Sequence, residues 1–261
     1  MKYDAGADAY DLLTGRWSKV FVQSAIEMAQ IGQGHRVLDV ATGTGDAAIL
    51  ARRAVGSAGY CAGLDVSVPM LKVAASKASA DSIGYVAASA MALPFPECTF
   101  DGILCLFGLM FFPDRVKALA EVRRVLRSSR RLVLTVWGRP ERAAFAGFPA
   151  EALSEQLPDL KQELLRPFSL SAPNEVRALL TDAGFKKVDV VAQARTARFG
   201  SFEDYWEPYE QGGGRLGQAY LNLSPDARTT VRRQVFSRLS AFSVNGCITV
   251  PLEAFVGFGS A

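Results

Sequence analysis

Gly43 and Gly45, separated by Thr44 and flanked by Asp39 and Asp46, are the residues whose types and spacing point most directly to chemistry. The stretch Val37-Leu38-Asp39-Val40-Ala41-Thr42-Gly43-Thr44-Gly45-Asp46 runs from an apolar segment through a glycine-spaced turn into an alanine-rich helical pattern. Glycines in such a turn let the backbone approach a ligand where any Cβ would clash. The free N–H groups of a helix start face the same place. Together they make a nucleotide-type cofactor site at the carboxyl end of a first strand.

Two cofactor classes compete for it. Gly43-x-Gly45-x-x-Ala48, with Asp65 about 20 residues further on, satisfies the relaxed dinucleotide fingerprint of an NAD(P)-dependent oxidoreductase. The charges point elsewhere. Asp39 and Asp46 would repel a diphosphate in a partly dry cleft, whereas they suit a ligand bearing a sulfonium and an α-ammonium. Asp39, an acid inside an apolar strand, reads as functional. Asp46 reads equally as an N-cap or as a neighbour of the ligand.

Alternating strands and helices are expected to position this turn. Strands fall near 36–41, 59–65, 84–88, 101–107, 131–137 and 186–192, with a last one near 249–257. Helices fall near 19–30, 46–54, 67–79, 114–127 and 174–183, and Ser224-Pro225-Asp226 opens another that runs to Leu239. From Asp114 the apolar residues Val116, Leu119, Ala120, Val122, Val125 and Leu126 recur with helical period. A βαβ series of this kind implies a parallel sheet covered on both faces.

Val37 to Asp46 resembles motif I of the class I S-adenosylmethionine (SAM) methyltransferases, and three further segments follow in that family's order. Gly63-Leu64-Asp65-Val66-Ser67 resembles its second strand end. Ser89-Ala90-Met91-Ala92-Leu93-Pro94-Phe95-Pro96 resembles the segment after the third strand, and Phe100-Asp101-Gly102-Ile103 opens the fourth. Phe107-Gly108-Leu109, an aromatic pair and Pro113-Asp114 are similar to the ubiquinone and menaquinone biosynthesis methyltransferases. The resemblance implies an α/β fold with a doubly wound, mostly parallel, seven-stranded Rossmann-like sheet, an antiparallel last strand and helical or loop cap insertions.

It also implies site residues. Asp65 would receive both ribose hydroxyls of SAM, with Val66 beside it, and Gly43, Thr44 and Gly45 would cradle the ligand above Asp39. Ser89 stands where the family has an acid for the adenine amino group, so its hydroxyl and the Ala90 backbone would serve instead. Leu106 stands where the quinone enzymes often place serine, leaving only its backbone. Ser128-Ser129-Arg130 replaces the family's Pro-Gly-Gly turn before the fifth strand. The implied reaction is in-line methyl transfer to an O, N or C atom of a small apolar or aromatic acceptor.

An acceptor that must lose a proton calls for a base. The single histidine, His35, precedes the first strand and so lies at the end opposite the cofactor turn. The candidates are Glu207, Tyr209 and Glu210, in an aromatic stretch with Phe199, Phe202, Tyr205 and Trp206. With Tyr3, Tyr10 and Trp17, those aromatics can roof an apolar acceptor site or simply pack as core. The expected organisation is one domain over 1–261, with 35–137 as the cofactor half and 1–30, 138–172 and 199–247 as an acceptor-site cap.

Composition agrees with an ordinary enzyme. A chain of 261 residues, 49% hydrophobic, can bury a sizeable core, and a net charge of +3 calls for no nucleic acid. Four cysteines without C-x-x-C spacing suit a reducing, cytoplasmic setting, and no metal site is expected. The first residues lack the apolar run of a signal peptide, and Gly102 to Pro113 is too short to span a bilayer. The expected partner is the small-molecule acceptor, with no integral membrane contact and a homodimer allowed. A non-catalytic SAM-binding partner protein is the rival reading from another class.

Overall fold

The computed structural model describes residues 14–78 and 82–261. Eight strands form one sheet in the order β3-β2-β1-β4-β5-β8-β6, with β7 pairing β8 off that path. They are β1 (Arg36–Val40), β2 (Tyr60–Asp65), β3 (Gly84–Ala87), β4 (Phe100–Leu106), β5 (Leu126–Trp137), β6 (Lys186–Phe199), β7 (Ser243–Val244) and β8 (Cys247–Ser260). The first five pair in parallel, and β8 runs antiparallel to both β5 and β6. That is the doubly wound, mostly parallel sheet with an antiparallel last strand expected from the resemblance.

The main helices are α1 (Val22–Met28), α2 (Asp46–Val55), α3 (Val68–Lys77), α4 (Arg115–Val125), α5 (Ala144–Gln156), α6 (Pro173–Asp182), α7 (Phe202–Glu210), α8 (Gly214–Leu221) and α9 (Pro225–Ser240). Their starts follow from local chemistry. Ser67, Asp114, Ser201 and Ser224 each accept a backbone N–H from the first turn of α3, α4, α7 and α9. Pro173 occupies the first position of α6, and Gly184 closes that helix at φ +83°. Residues on the central strands are buried on both faces: Val37 packs with α1 and α2, while Leu38, Ile103 and Leu132 belong to the larger core over α4, α5 and α6.

Several boundaries differ from the sequence reading. β5 begins at Leu126 instead of 131, because Ser128-Ser129-Arg130 stays in the strand. Ser129 takes φ +64°, and the register against β4 shifts between Phe100 and Gly102. β6 continues to Phe199, past the expected 192, because β8 supplies hydrogen-bonding partners as far as the Phe199–Ile248 pair. The helix expected over 19–30 divides into a 3-10 turn at Lys19–Phe21 and α1. The insertions contain α5 and α8, which the sequence reading did not place. Ser79, Tyr3, Tyr10 and the rest of 1–13 lie outside the described residues.

Candidate functional site

β1 is the strand at which the order reverses: its neighbours are β2 on one side and β4 on the other. Ligands of open α/β sheets bind at the carboxyl ends of the strands flanking such a point. Both chains turn sharply there. Ala41 after β1 takes φ +59° and Phe107 after β4 takes φ +57°, conformations that cost a non-glycine residue free energy. A Cβ on Gly108 would stand 2.6 Å from the Ala41 Cβ and 3.2 Å from Cys105 Sγ, so glycine allows the two turns to touch.

The glycine turn then leads into α2. Gly43 takes φ +53° with open space where a Cβ would be, and Gly45 takes φ +85° packed against Ala74 and Tyr85. Gly43 is therefore the residue that leaves room for a ligand, and Gly45 the one that seats α2 against α3. Asp65, at the end of β2, reaches across to this turn. Its Oδ2 accepts the Gly43 N–H at 2.9 Å and its Oδ1 accepts the Ser67 N–H at 2.9 Å. Burial raises its pKa, and the N–H groups of Ser67, Gly43 and Val66 act against that rise. A carboxylate has about four lone-pair sites, so acceptor capacity remains for hydroxyls on a ligand.

Asp39 lies beneath the turn. It is 1% exposed, and its Oδ2 accepts the Thr42 hydroxyl at 2.6 Å. Burial pushes its pKa up to about 7, against hydrogen bonds from Thr42 and the Ala48 N–H and with help from the charges of Asp65 and Asp46. Asp46 bonds the Lys77 ammonium at 2.6 Å, and its side chain caps nothing, because Gly45 holds the N-cap position of α2. The charge-based exclusion of a diphosphate is therefore lost. One carboxylate is part-protonated near neutrality and the other is neutralised by Lys77. Thr42 and Lys77 were not singled out in the sequence; a hydroxyl three residues after the strand acid was the available signal.

The Asp39 titration has a definite sign. Its folded pKa of about 7 lies above the unfolded value of 3.8, so the native state holds the extra proton between those limits. The stability it contributes is full below the lower limit and is lost as pH rises through the upper one. Asp39→Asn should therefore gain melting temperature relative to wild type on going from pH 5 to pH 8. Parallel pH profiles for the two proteins would show that Asp39 titrates elsewhere.

The other expected cofactor residues line the same edge. Ser89 follows β3, its Oγ accepting the Met91 N–H at 3.2 Å, and Ala90 beside it is buried. Thr44 is buried and its hydroxyl accepts from Lys77 at 3.4 Å, Val66 is exposed, and Leu106 is half-buried at the end of β4. Phe107 donates its N–H to Thr135 O at 2.8 Å. Its ring stacks on Trp137 at 3.9 Å, with Phe21 and Phe145 against the same indole at 6.0 and 4.9 Å. This aromatic block caps the ends of β4 and β5.

The three candidate bases stand in α7, engaged within the insertion. The Tyr209 hydroxyl donates to Phe145 O at 2.6 Å, and burial raises its pKa. Tyr205 likewise donates to Ala144 O at 2.8 Å. Glu210 accepts the Trp206 indole N–H at 2.9 Å and pairs with Arg232 at 3.3 Å, while Glu207 accepts from Gln211 at 2.9 Å. Phe199, Phe202, Tyr205, Trp206 and Tyr209 are all buried, so these rings pack α7 onto β6, α5 and α9 as core. His35 accepts the Gly32 N–H through Nδ1, at the amino end of β1 and away from the turn. Among the described residues no group of His, Cys, Asp and Glu could hold a metal, and no helix is long and apolar enough to cross a membrane.

Comparison with known proteins gives a family and a fold. A model of the ubiE/COQ5 methyltransferase family matches residues 1–156. The chain is 38% identical over 135 residues to the ubiquinone/menaquinone biosynthesis C-methyltransferase UbiE of a Marinomonas species, covering 50% of this chain and 54% of that one. It is 34% identical over 201 residues to the demethylmenaquinone methyltransferase of Thermus thermophilus, covering 69% of this chain and 89% of that one. The solved SAM-dependent methyltransferase of Aquifex aeolicus shares the fold, with TM-score 0.55 and 22% identity over 75% of this chain and 93% of that one. The matched stretch spans about half the length of the Marinomonas relative and of similar ones.

Proposed function

The chain belongs to the ubiE/COQ5 methyltransferase family, and on that premise we propose that it is a SAM-dependent methyltransferase acting on a small apolar or aromatic molecule. The observation that carries this reading is the Asp65 carboxylate, pinned by the N–H groups of Gly43 and Ser67 beside the open space at Gly43. That arrangement fits a ribose: a fixed anion with acceptor capacity left over, next to backbone that a nucleoside can approach. When bound, SAM supplies an electrophilic methyl group on a sulfonium.

In this reading Asp65 holds the ribose and Gly43 gives the ligand room. The Ser89 hydroxyl and the Ala90 backbone meet the adenine, and Val66 and Leu106 flank it. Thr44 and Asp39 act through the turn, Asp39 by fixing Thr42 and the start of α2. The aromatic block of Phe107, Trp137 and Phe145 closes the ends of β4 and β5, so its contribution is to orient an acceptor and exclude water. The bonds made by Glu207, Tyr209 and Glu210 favour a role in seating the cap, formed by 138–172 and 199–247. The chemistry then leans on alignment, and an acceptor already acidic enough to lose its proton to solvent suits it best. A cytoplasmic setting agrees with the four unpaired cysteines, two of them buried.

The direct test of the cofactor is a thermal-shift comparison with SAM, S-adenosylhomocysteine and NAD(H). At about 100 times its dissociation constant, a true ligand adds about 2.7 kcal/mol, a shift of several degrees for a protein of this size. We expect the two sulfur ligands alone to act. A shift with NAD(H) and none with SAM would overturn the reading.

A further inference from the structure

The loop that follows β4 has two sides. Phe107 and Gly108 turn toward β1, whereas Met110 and Phe112, a few residues on, line a cleft of about 1240 Å³ shared with the segment from Pro158 to Ser169. Its walls are apolar: Met110 and Phe168 are buried, and Phe112, Leu165 and Leu179 are half-buried. Its charged groups are mostly cationic. Arg115, Lys161 and Arg166 line it, against the single carboxylate of Asp114. Asp114 already serves α4, its Oδ1 accepting the Lys117 N–H at 2.9 Å.

Arg115 is held in place before any ligand arrives. Its Nη2 donates to Met110 O at 3.2 Å and to the Ser169 hydroxyl at 2.6 Å, which ties the α4 start to both walls of the cleft. Burial lowers its pKa, the charge of Glu175 opposes this, and the charge of Arg166 adds to it. Two guanidinium groups thus stand near enough to repel each other beside an ammonium and an apolar floor. Like charges gathered around a low-dielectric recess concentrate a positive potential in it. Guanidinium groups recognise carboxylates and phosphates alike with paired N–H donors. A pocket with apolar walls and a few convergent polar groups is the form small-ligand sites take.

We propose that this cleft binds an amphiphilic anion with a carboxylate or phosphate head, its apolar body along Met110, Phe112 and Phe168 and its acid group between Arg166 and Lys161, with Arg115 behind them. The site is separate from the nucleoside turn and stands whether or not the methyl-transfer reading does.

Calorimetric titration of the full chain with decanoate, 1-decanol and decyl phosphate tests it. Decanoate should bind with a stoichiometry of one, and 1-decanol at least about tenfold more weakly. The double variant Lys161→Gln, Arg166→Gln should lose about ten- to a hundredfold in decanoate affinity, since bonds to charged groups are the strong ones. Its thermal shift with S-adenosylhomocysteine should match wild type, which shows that fold and nucleoside site are intact. Equal binding of 1-decanol and of both anions, or an unchanged double variant, would each overturn the assignment, while the ratio of decanoate to decyl phosphate affinity tells which head group the site prefers. Failure of the S-adenosylhomocysteine shift in wild type, with decanoate still bound, would strike the methyltransferase reading alone.

Discussion

Replacing Asp65 by alanine should weaken SAM binding by about 2–4 kcal/mol, a loss of roughly 30- to 1000-fold in affinity. Three effects act together. The ribose hydroxyls lose a charged acceptor. The Gly43 and Ser67 N–H groups, which the carboxylate now holds at 2.9 Å each, lose their partner. The turn therefore loses the tie between the end of β2 and the start of α2. Asp65→Asn separates these contributions, because an amide oxygen can hold one N–H group but offers less to the ribose. It should fall between wild type and Asp65→Ala. Titration of SAM into all three proteins provides the check, and a wild-type dissociation constant for the alanine variant would remove Asp65 from the ribose.

Gly147→Ala is expected to cost about 2–3 kcal/mol of stability: a clash with backbone this close belongs at or beyond the upper end of the ~1–3 kcal/mol typical of overpacking, offset in part by the gain of up to about 1 kcal/mol that alanine brings to a helix. Gly147 lies in α5, where an added Cβ would stand 2.0 Å from Pro140 O and 2.6 Å from Pro140 Cα. Those are backbone atoms, and the segment that carries them is itself fixed, with the Gly138 N–H on Glu253 O and the Ala143 N–H on Arg139 O, both at 2.9 Å. Nothing flexible can give way. The melting temperature should fall by about 5–10 °C. Gly200→Ala is the control: its nearest contact would be Asp204 Oδ2 at 3.8 Å, and it should stay within about 0.5 kcal/mol of wild type. Equal melting temperatures for the two variants would mean that the Pro140 turn yields.

The cofactor half was legible because its signals are local. The apolar run into Gly43-Thr44-Gly45 dictates a strand, a turn with positive φ and a helix within eleven residues of sequence, Arg36 to Asp46, and the structure has all three. Asp65 was likewise expected at the end of a strand, and it ends β2. The charge state of the site was not legible. Asp46 is neutralised by Lys77, 31 residues away, and Asp39 is shifted by burial, which depends on the whole core. No local pattern encodes either. The same holds for the aromatic stretch from Phe199 to Tyr209. Its composition left a roof over the acceptor and a packed core equally open; the tyrosine hydroxyls go to α5, 61 to 64 residues earlier in the chain, and the rings are buried. The extent of β6 was hidden for a related reason: a strand runs as far as its partner does, and β8 is long.

The position of β8 has a consequence for how the protein is made. This strand comes last in sequence, yet it sits between β5 and β6, with seven residue pairs to one and twelve to the other. During synthesis, β5 and β6 must emerge from the ribosome with those edges open and wait for residues 247–260 to fill the gap. The larger core, which draws Val250, Leu252, Ala254 and Phe255 from this strand, cannot close before then. Open edges of that kind invite pairing with other chains, and contacts between distant segments form slowly. The nascent chain is thus exposed to aggregation until β8 has emerged, and folding of the sheet is tied to the arrival of that strand.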